Sequence, residues 1–126
     1  MFEAMRQASF LAKLSTMDPT AVPAQTALDM ATRIGAQALG TGGLIGSLEA
    51  GKRADLITVG MGATRQVPAY DPVSHLVYVT RGDDVRTTIV NGKVLMKDRH
   101  VRTLNRSEVI ADANRLAQKV RDAVGR

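Results

Sequence analysis

Cysteine and tryptophan are both absent from the 126 residues, and aromatic side chains make up only 3% of them. Without cysteine there is no disulfide framework, no thiolate metal site and no cysteine nucleophile. That usage fits a reducing compartment, and a cytoplasmic protein is expected. Histidine is scarce as well: only His75 and His100 are present. They form no H-x-H or H-E-x-x-H arrangement, so a histidine-built metal centre has no support in their spacing. No apolar run approaches the ~18 residues that a membrane span requires. The first residues lack the basic start and apolar core of a secretory leader. The chain reads as soluble, with no membrane partner.

What remains has globular proportions. Hydrophobic residues are 44% and charged residues 23%, enough for one domain with a modest core. The net charge is +5, from 17 basic and 12 acidic residues. The basic residues are scattered, and Phe2, Phe10, Tyr70 and Tyr78 do not interleave with them. Single-strand binding needs stacking platforms beside a basic groove, so a nucleic-acid partner is disfavoured.

Along the chain, residues 2–14 carry apolar positions at helical spacing and predict an amphipathic helix. Pro19 and Pro23 break it, and Pro23 suits the first turn of a second helix running to about Leu39. Thr32 is a candidate cap for a shorter helix within that span, and Gly40 ends it. From Thr41 glycines punctuate short apolar runs. Residues 44–48 and 55–59 read as two strands joined by a turn over residues 49–53. Residues 60–69 read as a loop. Asp71-Pro72 has the form of a helix start, while the β-branched content after it favours a strand. Asn91-Gly92, between alternating residues 85–90 and 94–97, predicts a hairpin with a type I′ turn. A further strand is expected at residues 101–104. Asn105 then caps a last helix, with Glu108 as capping-box partner. The stripe of that helix is Val109, Ile110, Ala113, Leu116, Ala117 and Val120.

One stretch imitates a nucleotide site. Gly46, four residues, Gly51 and Lys52 have the spacing of a P-loop. A P-loop works by delivering its glycine-rich turn to a helix N-terminus. Here a strand pattern follows Lys52, Arg53 stands where a hydroxyl would bind magnesium, and Glu49 places a negative charge in the cradle. The stretch therefore reads as a hairpin turn, with Asp55 bonding its amides.

Other chemistry-bearing residues are equally unpromising. His75 lies in an apolar stretch and reads as a hydrogen-bonded packing residue; His100 reads as an exposed turn residue. Asp71 and the pair Asp83-Asp84 are the available carboxylates, and the pair reads as a solvated turn. Ser9, Ser15, Ser47, Ser74 and Ser107 occur in no G-x-S-x-G elbow, and the adjacent side chains of Ser74 and His75 diverge. No catalytic, cofactor-binding or metal-binding residue is assigned.

Four motifs, "MATRIGAQALG", "IGSLEAGKRADLITV", "DPVSHLVYV" and "GDDVRTTIVNGKVLMKDRHVRTL", occur in this order. Together they resemble the C-terminal part of metal-dependent amidohydrolases, in the chlorohydrolase-like group that includes the 5-methylthioadenosine/S-adenosylhomocysteine deaminases. The resemblance implies an α/β fragment: the last helices of a (β/α)₈ barrel, the C-terminal strands of a small β-sandwich, and a terminal helix outside. Residues 1–40, 41–104 and 105–126 would be those three parts. It also implies a divalent metal, zinc or iron, in the complete enzyme, held by an H-x-H pair, a further histidine and an aspartate. None of these ligands matches a position in this sequence, so the chain alone is expected to be inactive. Its partner would be the missing N-terminal barrel portion, or a second copy of itself in a homo-oligomer. A non-catalytic interaction module is the second reading, and a nucleic-acid-binding protein the third.

Overall fold

The computed structural model describes residues 1–125. Helix α1 spans Phe2–Thr16, with Glu3 in its first turn and Lys13 in its last, the polarity that the helix dipole favours. Met17 ends it in the left-handed region at φ 51°. Helices α2 (Ala24–Ala31) and α3 (Arg33–Ala38) follow. Pro23 stands at the N-cap of α2, one position before the first-turn place expected of it. Thr32 does separate the two helices. Its hydroxyl donates back to the Leu28 carbonyl at 2.7 Å, which turns it toward α2, and it makes no cap bond to the first amides of α3. Gly40, at φ 69°, lies just beyond the end of α3.

Residues 44–48 are not a strand. The amides of Leu44 and Ile45 bond the Thr41 carbonyl, and one bond from Arg53 N to the Leu44 carbonyl closes the loop. The expected first hairpin is therefore a coil of turns. Its cause is a close approach that neighbouring sequence does not reveal. Gly46 has φ 97°, and a Cβ there would lie 2.8 Å from the Cβ of Ala36 and 3.1 Å from the Thr32 carbonyl. The backbone packs onto α3 instead of pairing with β1 (Leu56–Val59).

Helix α4 spans Pro72–Tyr78, so the helix start outweighs the β-branched content behind it. The Asp71 carboxylate accepts from the amides of Val73 and Ser74, both at 3.1 Å, and Pro72 needs no amide partner at the first position. Strands β2 (Val85–Val90) and β3 (Lys93–Lys97) form the expected hairpin, with Asn91 at φ 48° and Gly92 at φ 75°. Asp98 and Arg99 repeat the device at φ 48° and 66°, and lead into β4, which covers only His100–Val101. The sheet is antiparallel throughout, in the order β1-β2-β3-β4. Asp55 bonds the Asn91 amide across the sheet, not the turn preceding it. Helix α5 spans Arg106–Val124. Asn105 accepts from the Ser107 amide, and Glu108 answers to the Asn105 side-chain amide at 2.9 Å instead of its backbone.

Helices α1, α2 and α4 pack on one another around Met5, Ala24, Ala27 and Val77. That centre is small for a chain of this length. Ala36 is buried apart from it, and the remaining buried side chains among the described residues are polar: Ser9, Gln66, Thr80 and Asp84. No strand residue is fully buried, so both faces of the sheet stay partly open.

Candidate functional site

The polar residues of the centre form one seam from α1 to α4. The Ser9 hydroxyl donates to the Val22 carbonyl at 2.7 Å and meets the Tyr78 hydroxyl at 2.9 Å. Tyr78 stacks on Phe10, with ring centroids 5.6 Å apart. A terminal nitrogen of Arg6 donates to the Thr80 carbonyl at 2.9 Å, and the Thr80 hydroxyl to the His75 carbonyl at 3.0 Å. The His75 ring bonds through Nε2 to the Gln66 carbonyl at 2.8 Å. His75 is thus the hydrogen-bonded packing residue its sequence context implies. His100 is exposed at the start of β4, its Nδ1 2.9 Å from the Asp98 carbonyl.

Asp84 departs from its expected solvated turn. It is buried, it pairs with the Arg65 guanidinium, and it accepts from the Arg81 amide at 2.9 Å. The Arg81 amide, together with Arg65, holds its carboxyl below the usual carboxylate range, although burial pulls the other way. Asp83 stays outside, 3.5 Å from the same guanidinium. The signal missing from the sequence is Arg65 itself, which lies in the 3₁₀ turn Thr64–Gln66 on a distant loop.

This seam clasps the loop of residues 60–69 onto α4 through the His75–Gln66 bond. It does not fit a metal. Among the described residues the buried side-chain atoms without a hydrogen-bond partner are Gln66 Nε2 and Arg6 Nε, both donors and neither a ligand for a cation. Among the described residues no three His, Asp or Glu side chains converge as ligands. Nor does the P-loop spacing build a phosphate site: the next regular element after Lys52 is β1, and Lys52 bonds Ser47 and Glu49.

A concavity lies elsewhere. An apolar cleft of about 570 Å³ opens between α2, α3 and β1, with Met30, Leu39, Ile45, Leu48 and Ile57 among its walls. Leu39 and Leu48 are 77% and 76% exposed, so the cleft lacks a covering layer.

The sequence profile of the amidohydrolase family matches residues 1–95. The chain is 51% identical over 114 residues to a 5-methylthioadenosine/S-adenosylhomocysteine deaminase of Moorella thermoacetica. It is 48% identical over 120 residues to a 5′-deoxyadenosine deaminase of Methanosarcina barkeri. These alignments cover 90% and 95% of the chain and 27% of each relative. The chain therefore spans little more than a quarter of the length of the curated relatives it matches. A zinc-bound adenosine deaminase from Xanthomonas campestris superposes with a TM-score of 0.90 at 35% identity, over 97% of this chain and 28% of that one. A zinc-complexed atrazine chlorohydrolase from Arthrobacter aurescens superposes at 0.74 and 26% identity, over 89% and 26%.

Proposed function

The chain belongs to the amidohydrolase family, and from that premise we propose that it forms the C-terminal share of an adenosine-type deaminase. In this reading α1, α2 and α3 are the last helices of a (β/α)₈ barrel, and β1–β4 belong to the small β-sandwich beside it. Helix α5 lies outside both. The cleft between α2, α3 and β1 is the seat of segments contributed by the remaining length of the family's enzymes. Hydrolytic deamination replaces an amino group by an oxygen from water and releases ammonia. In this reading the residues that perform that step, and the divalent metal, belong to that remaining length. The role of this share is to close and brace the barrel.

The observation that carries the reading is the superposition of almost the whole chain on one part of a zinc-bound adenosine deaminase. The bare cleft supports it physically. A chain of this size normally buries most of its large apolar side chains, yet here Leu39, Leu48, Met30 and Ile57 remain exposed.

A chimera tests the proposal. The matching segment of the Moorella thermoacetica relative is replaced by this chain, and zinc content and ammonia release from an adenosine-type nucleoside are measured. Retention of zinc with activity within about tenfold of the parent is expected, a loss below about 1.4 kcal/mol in the barrier. A chimera that folds and binds zinc yet deaminates nothing would contradict it.

A further inference from the structure

Asn91-Gly92 is the single Asn-Gly step of the chain; Asn105 and Asn114 are each followed by arginine. Glycine puts no side chain in the way of its own backbone nitrogen, which can attack Cγ of the preceding carboxamide. Both residues are exposed, and a Cβ at Gly92 would meet nothing within 4 Å. In the turn that joins β2 to β3, strand pairing ends at Val90 with Lys93, so the hairpin offers no ladder partner to the amides of Asn91 and Gly92. Their partners come from outside it. The Gly92 amide donates to the Ala54 carbonyl at 3.0 Å, and the Asn91 amide donates to the Asp55 carboxylate. Attack requires the Gly92 nitrogen to give up its proton and turn toward Cγ. A carbonyl that holds this hydrogen opposes both movements.

We propose that Asn91 is a site of spontaneous deamidation, held closed by residues 54–55 and opened when that segment leaves the turn. The Gly92 nitrogen forms a bond to Cγ of Asn91, and the bond from Cγ to the side-chain nitrogen breaks. That nitrogen leaves as ammonia with the proton from Gly92, and a five-membered succinimide remains. Water from the solvent then opens one of its two carbonyls, giving aspartate or isoaspartate. Either product adds a negative charge to a turn whose first amide is held by the Asp55 carboxylate, like charge beside like. Isoaspartate also lengthens the backbone by a carbon, which a two-residue turn does not accommodate. The reaction therefore weakens the clasp that restrains it.

Mass-spectrometric peptide mapping of the 126-residue chain, incubated in mildly alkaline buffer both folded and in urea, tests it. In urea, Asn91 should convert ahead of Asn105 and Asn114. In the folded chain its conversion should be slower by about tenfold or more, because the segment must first open locally. Asp55→Ala removes one of the two ties and should speed conversion in the folded chain about threefold to tenfold. Should that variant fail to fold, wild type in sub-denaturing urea replaces it. There, conversion at Asn91 and deuterium exchange of the Gly92 amide should rise together. Equal rates in the folded and unfolded chain would overturn the proposal. So would a folded Asp55→Ala chain that converts no faster than wild type, or Gly92 exchange that rises without conversion.

Discussion

Asp84 is a buried carboxylate whose partners come from two directions, the Arg65 guanidinium from a distant loop and the Arg81 amide from the turn before it. Its carboxyl is held below the ordinary value of 3.8. A depressed folded-state value means that the stabilisation is fully present above 3.8 and is lost as pH falls through the lower folded-state value. Asp84→Asn should therefore cost about 1–3 kcal/mol at pH 7, because it replaces the buried charged acceptor of the Arg81 amide and the Arg65 guanidinium by a weaker, neutral one. Urea denaturation at pH 7 and at pH 3 checks this. The gap between wild type and variant should be large at pH 7 and should shrink in acid. An equal gap at both values would mean that the carboxylate charge contributes nothing.

The elements show which parts of a sequence speak for themselves. The β2–β3 hairpin was legible because Asn91-Gly92 fixes its own turn through positive φ values that need no distant partner. The start of α4 was legible for the same reason, since Asp71 and Pro72 act on the next few amides. Residues 44–48 were misread because their apolar character resembles a strand, while the decisive contact is with Ala36 and Thr32 on α3. Asp84 was misread because Arg65 is remote in sequence. The same remoteness yields a prediction. Gly46→Ala places a Cβ against Ala36 at positive φ, and should destabilise by about 2 kcal/mol or more in thermal unfolding. Gly62→Ala meets open space and should be near neutral. Equal small effects at both glycines would remove the packing account of the residue 44–48 loop.

At the scale of the molecule, helices, sheet and polar seam are in place, but several apolar surfaces have no cover. The cleft beside β1 and the stripe of α5 are separate instances. In the proposed reading the cleft, bounded by α2 and α3, would receive the remaining length of an amidohydrolase. The family could be recognised from four ordered motifs, although no catalytic residue could be assigned. Those motifs are turn and packing sequences. The His75 contact holds the loop of residues 60–69 to α4, and the Arg65–Asp84 pair holds that loop to the turn before β2.

The central claim is that these residues brace a deaminase without performing deamination. The direct test is to measure zinc content and ammonia release from an adenosine-type nucleoside for the purified 126-residue chain. The account predicts no stoichiometric zinc and no turnover above buffer. One zinc per chain, with turnover that His75→Ala abolishes, would contradict it and would make the seam an active site.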